Sequence, residues 1–264
     1  MRRFIIGDVH GCFKTLKGLI NQLPLDYDDY RQLVFVGDLI DRGRNSRDVL
    51  NFIRDNNITC VQGNHEAMMV DAYTRFIKYE EPLKYSDWCH NGGVNVLDEY
   101  TTNNKFDFET FSQDCLFVKY LPKVLTFQYN ETKDLLVSHS GALDYIDELN
   151  MVTNKIEKSD VLDEKLNKHK QYLIENIQWE RVEPLKTHDK YFNVFGHSPI
   201  YFFKQTIPKE NLFSDVLINK NKGYANVDLG CVYKKPAIFN GDEGKLVAIA
   251  YPDLKVFLQK NIED

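Results

Sequence analysis

Short apolar runs and amphipathic stretches alternate along the first third of the chain. Phe4-Ile5-Ile6, Leu33-Val34-Phe35-Val36 and Ile58-Thr59-Cys60-Val61 are rich in β-branched and aromatic residues and predict buried strands. Between them the period changes. Leu16, Leu19, Ile20 and Leu23 recur at helical spacing before Pro24, and Val49, Leu50 and Ile53 do so after Asn45-Ser46, a candidate helix cap. This alternation predicts an α/β fold with a βαβαβ core, its strands parallel and its crossovers right-handed. The acidic Asp26-Tyr27-Asp28-Asp29-Tyr30 reads as a solvated connection.

Further along, the pattern loosens. Residues 67 to about 130 predict a helical, aromatic-rich segment in which Tyr85 and Trp88, or His90 in its Asn-Gly-Gly loop, are candidates for facing a substrate. Leu135-Leu136-Val137 and Phe192-Asn193-Val194-Phe195 predict buried strands. Between them, about 145–178 is polar and helical, with Leu162, Leu166 and Leu173 roughly in phase and His169 at the surface. Tyr224–Tyr233 and Leu246–Ala250 predict the last strands. No linker or internal repeat divides the sequence, so 1–264 is expected to be one domain, long enough for a sizeable core.

The chemistry lies where strands end. The first three strands run into Gly7-Asp8-Val9-His10-Gly11, Gly37-Asp38-Leu39-Ile40-Asp41-Arg42-Gly43 and Gly63-Asn64-His65-Glu66. Two later ones deliver Ser138-His139-Ser140-Gly141 and Gly196-His197-Ser198. In open α/β sheets the C-terminal strand edge is where ligands bind. This ordered set resembles the phosphoprotein phosphatase branch of the calcineurin-like metallophosphoesterases, over Asp8 to about Tyr233. The resemblance implies the fold of that family, a βαβαβ core within a β-sandwich flanked by helices.

Composition narrows the picture only a little. The formal net charge is −6, with no dense Lys/Arg cluster, so no nucleic-acid partner is evident. No apolar run reaches the length of a membrane span, and Asp8 interrupts what could pass for a leader. A cytoplasmic location is the expectation. Five cysteines, Cys12, Cys60, Cys89, Cys115 and Cys231, are scattered, fitting reduced thiols rather than a structural zinc site.

The strand ends supply Asp8, His10, Asp38, Asn64, His139 and His197. Mixed oxygen and imidazole ligands suit Mn, Fe or Zn, and six exceed what one ion needs beside a substrate. Two divalent ions bridged by one carboxylate can activate a water between them and clamp a phosphoryl displacement. By the resemblance, Asp8 and His10 hold one ion, Asp38 bridges, and Asn64, His139 and His197 complete the second. His65, next to a ligand, is the expected general acid for the leaving alkoxide, and Asp41 the carboxylate that orients it. Arg42 can fork onto two phosphoryl oxygens. The resemblance implies a second arginine from a later loop, and Arg181, after Trp179, matches that position.

Two departures from the family pattern stand out. Ser140 replaces a small apolar residue or glycine, and the stretch Lys234-Lys235-Pro236 through Gly244 is longer than the usual glycine-rich turn, which bears on one groove wall. The expected activity is hydrolysis of phosphomonoesters, foremost phosphoserine or phosphothreonine in proteins, with a phosphorylated protein or small molecule as partner. The alternatives are symmetrical cleavage of dinucleoside tetraphosphates and an inactive phosphate-binding module.

Overall fold

The computed structural model describes residues 1–158, 163–181, 183–234 and 243–263. The elements run β1 (Arg3–Ile6), α1 (Phe13–Ile20), β2 (Leu33–Phe35), α2 (Ser46–Asp55), β3 (Thr59–Cys60), α3 (Asn64–Tyr79), α4 (Val94–Glu99), β4 (Thr101–Thr102), β5 (Lys105–Phe106) and α5 (Phe108–Lys119). They continue β6 (Val124–Phe127), β7 (Asp134–Ser138), α6 (Ile146–Glu157), α7 (Glu164–Trp179), β8 (Tyr191–Phe195), β9 (Leu212–Phe213), β10 (Val216–Asn219), β11 (Tyr224–Asn226), β12 (Lys245–Tyr251) and β13 (Lys255–Lys260). Leu162, and the 235–242 part of the long tail stretch, lie outside the described residues.

Two sheets stack. One has the order β13-β12-β1-β2-β3, the other β6-β7-β8-β11-β10-β9. The β1–β2–β3 pairs are parallel, as their crossover helices require, whereas β12 joins β1 antiparallel. Alternation along β1 explains the layering. Phe4 and Ile6 enter a core shared with the helices α1 to α5, while Ile5 enters the core between the sheets with Val34, Val137, Val194 and Val247. Both faces of this sheet are therefore covered, which is why its strands read as unbroken apolar runs.

Two local expectations are corrected. The side chain of Asn45 makes no capping bond to α2; instead the Glu99 carboxylate of α4 accepts the amides of Ser46 and Arg47 at 2.9 and 2.8 Å. A longer side chain arriving from another helix does the capping, which local sequence cannot show. The strand expected over Tyr224–Tyr233 stops at Asn226. There Asn226 Oδ1 accepts the Asp228 amide and Asp228 Oδ1 accepts the Gly230 amide, so side chains take bonds a ladder would have used.

Candidate active site

The motif loops meet at one edge of the sandwich, where the backbone is unusually constrained. His10, Asp38, Asp41, Arg42 and His197 all have positive φ, from 47° to 74°. Such conformations cost on the order of 1–3 kcal/mol each and persist only where surroundings enforce them. Two glycines show how close the chain comes. A Cβ on Gly63 would sit 2.2 Å from Asp38 Oδ1, and one on Gly196 would sit 2.0 Å from Asp8 Oδ1. Glu66, buried in the first turn of α3, accepts the amides of Asp38, Leu39 and Gly63 at 2.8–2.9 Å and so holds the second motif loop against the third.

Asp8, His10, Asp38, Asn64, His139 and His197 are all buried here. His10 Nδ1 donates to the Ile40 carbonyl at 2.9 Å, and His139 Nδ1 donates to the Val36 carbonyl at 2.8 Å. Each bond fixes the tautomer and turns Nε2 inward as a lone-pair donor, the usual preparation of a metal ligand. His197 is turned the other way, with Nε2 on the Trp179 carbonyl at 3.2 Å and Nδ1 facing in. Three inward acceptors, Asn64 Oδ1, His139 Nε2 and His197 Nδ1, then lie 2.8 to 3.2 Å from one another. Acceptors crowded so closely fit a shared cation. Ligand atoms of His10, Asp38 and His65 form one group within 4.8 Å, and those of Asp38, His139 and His197 form another. Asp38 belongs to both. Asp8 instead accepts the His197 amide, at 3.1 Å to its nearer oxygen.

The electrostatics follow from burial and crowding. Burial by itself would raise Asp38, but His139, His65, His10 and His197 hold its carboxyl well below the ordinary range. Asp8 goes the other way, raised by burial and by the neighbouring Asp228 and Asp38. Burial and its neighbouring imidazole push His197 down to about 3. His10 is likewise lowered by burial and by Arg42, keeping it neutral and able to ligate.

Beside this centre His65 Nδ1 donates to Asp41 Oδ2 at 2.5 Å. Burial lowers the imidazole, but Asp38 and Asp41 outweigh it and raise His65 above its ordinary value. Arg42 spans the two histidines, with Nη1 2.6 Å from His10 Nε2 and Nη2 2.9 Å from His65 Nε2. A cation on His10 and this guanidinium would compete for the same nitrogen. Arg42 is braced in turn, its amide on the Gly92 carbonyl and its own carbonyl on Asn95 Nδ2. Arg181 is exposed, and its charge lowers both His139 and His197; among the described residues no carboxylate pairs with it.

The structure reassigns several residues. Trp88 holds a carboxylate of the site. It is buried, and its indole N–H bonds the Asp41 carboxylate at 2.8 and 3.0 Å. His90 lies exposed on the adjoining turn. The motif pattern assigns no role to Glu66 or Asp228. A Glu three residues after Gly63, before an apolar run, carries a capping-box signal that would have flagged the first. Nothing local marks Asp228, which burial and Asp38 push up to about 7 despite its bond from the Gly230 amide. The Ser140 hydroxyl donates toward the carbonyls of Asn176 and Ile177 at the end of α7, tying the His139 loop to the helix that leads into Trp179 and Arg181.

Comparison with known proteins agrees with this geometry. The family pattern described as calcineurin-like phosphoesterase matches residues 1–239. A serine/threonine-protein phosphatase 1 of Salmonella typhimurium is 44% identical over 34% of this chain and 38% of its own length. A symmetrical bis(5'-nucleosyl)-tetraphosphatase of Erwinia tasmaniensis is 27% identical over 53% of this chain and 44% of its own. A serine/threonine-protein phosphatase 2 of Salmonella typhimurium is 24% identical over 74% and 78%. The match thus spans less than half the length of the first two relatives. A solved structure described as a candidate diadenosine tetraphosphatase superposes with a TM-score of 0.53 at 18% identity, covering 100% of this chain and 95% of that one, which shows a shared fold.

Proposed function

The chain belongs to the calcineurin-like phosphoesterase family, and we propose that it hydrolyses phosphoserine and phosphothreonine in proteins with the help of two divalent metal ions. The observation that carries this is the pair of buried ligand groups sharing Asp38, beside a histidine held by its own carboxylate. In this reading Asp8 and His10 hold one ion, Asn64, His139 and His197 the other, and Asp38 both. Manganese suits these mixed oxygen and nitrogen donors. When bound, such ions neutralise charge on a phosphoryl group and make water a better nucleophile.

The protein's own groups do the rest. His65 gives its proton to the departing alkoxide. Asp41 keeps the imidazole oriented and charged, and Trp88 keeps Asp41 in place. Arg42 and Arg181 supply forks for phosphoryl oxygens. Glu66, through three amides, fixes the loop that bears Asp38. The five buried free cysteines support a reducing, cytoplasmic setting.

A second reading, symmetrical cleavage of dinucleoside tetraphosphates, is supported by the Erwinia tasmaniensis relative and by the exposed rings of Tyr85 and Trp179, which could stack on a base. A direct comparison decides. With added Mn, a phosphoserine peptide is expected to be hydrolysed with the higher kcat/KM, and diadenosine tetraphosphate the lower. The reverse order would replace the first reading with the second.

A further inference from the structure

A groove of about 1010 Å³ runs along α3 next to the catalytic centre, walled on its other sides by the 81–91 segment and the second half of α7. It adjoins the centre through two residues bonded to catalytic groups. Trp88, which holds Asp41, and Trp179, whose carbonyl holds His197, both line it. Its floor is α3, whose first turn carries His65 and whose later turns present Met68, Asp71 and Arg75. The groove thus lies one to three turns along α3 from His65. At about 1.5 Å per helical residue, His65 to Arg75 spans roughly 15 Å, the reach of about four or five extended peptide residues.

The charge of the walls selects the occupant. Asp71, Glu81, Asp87 and Glu175 line the groove against a single guanidinium, Arg75. That guanidinium is already engaged, 2.8 Å from Asp71 and 3.6 Å from Glu81. Asp87 and Glu175 are exposed and free of any ion pair among the described residues. Tyr85 and Trp179, 67% and 43% exposed, add apolar surface on which an aliphatic stem or a guanidinium can lie.

Building on the protein-phosphatase reading, we propose that this groove binds the chain flanking the phosphorylated residue and selects for lysine or arginine within about four positions of it. A dinucleoside tetraphosphate could use the aromatic rings, but its polyanionic chain would have to lie along four carboxylates. The groove thus disfavours that substrate by the same charges that favour a basic peptide.

The test compares two phosphoserine peptides, identical except for arginine or glutamate at the flanking positions, alongside p-nitrophenyl phosphate and diadenosine tetraphosphate, all with Mn. The arginine peptide is expected to show about tenfold higher kcat/KM at low ionic strength, narrowing in about 1 M salt as surface charges are screened. The double variant Asp87→Lys, Glu175→Lys should erase or invert the ratio between the peptides. Equal rates for the two peptides, or a ratio that survives the double variant, would overturn the groove assignment while leaving a protein phosphatase intact. Hydrolysis of p-nitrophenyl phosphate and diadenosine tetraphosphate without either peptide would instead overturn the protein-phosphatase reading, and the groove assignment with it.

Discussion

At the scale of single residues, His65 and Asp41 make the sharpest claim. If His65 is the acid, His65→Asn should lower turnover of alkyl phosphates about 10²–10⁴-fold, with a smaller loss for p-nitrophenyl phosphate, whose leaving group needs little help. Equal losses on both would refute the role. The pH dependence has a definite sign. His65 is raised above its ordinary value because Asp38 and Asp41 outweigh its burial, so the acid keeps its proton to higher pH than a free imidazole and turnover falls as pH climbs through that raised value. Asp41→Asn removes one of the raising charges, and the alkaline limb of the kcat profile should move to lower pH. The motif loops around these residues were legible because each places glycine beside a polar residue after an apolar run. Trp88 was not, since its bond to Asp41 crosses 47 positions and an indole in an aromatic-rich stretch looks like core. It is core, and it also orients a carboxylate.

At the scale of elements, α7 shows how a helix far from the motifs reaches the site. Its last turn is fastened by Ser140, whose amide and hydroxyl both meet the Ile177 carbonyl, and the next residues carry the Trp179 carbonyl that orients His197 and the side chain of Arg181. Arg181→Ala should cost on the order of 2–4 kcal/mol in kcat/KM, as for loss of one preorganised donor. Ser140→Ala should act in the same direction more weakly, raising KM more than it lowers kcat and costing about 1 kcal/mol of stability by chemical denaturation. A Ser140→Ala enzyme with wild-type KM would show that the hydroxyl positions nothing. The helical period of α1 and α2 was readable from sequence because one side of each faces a core, and the apolar runs of β1 and β2 because both faces do. The early end of β11 and the capping of α2 by Glu99 were not, because both depend on side chains that compete with, or arrive from outside, the local ladder.

At the scale of the molecule, the ligands come from both sheets. Asp8, His10, Asp38 and Asn64 follow strands of the first, while His139 and His197 follow strands of the second. A metal pair would therefore rivet one sheet to the other. Chelation should abolish activity and lower Tm, and Mn should restore both, by about 2.7 kcal/mol for each site at a hundredfold excess over its Kd. Elemental analysis should find two ions per active chain, and Asp38→Asn should lose the most. Fewer than two ions in fully active protein would refute the shared-carboxylate centre. The order β13-β12-β1-β2-β3 carries a consequence for synthesis. β1 lies between β2 and β12, so the strand that opens the chain waits for Lys245–Tyr251 to cover its other edge. At about 5–20 residues per second, a ribosome needs roughly 10–50 s to make that partner. Until then the backbone of Phe4, Ile5 and Ile6 presents an unpaired strand edge on the nascent chain, the kind of surface a chaperone would have to shield.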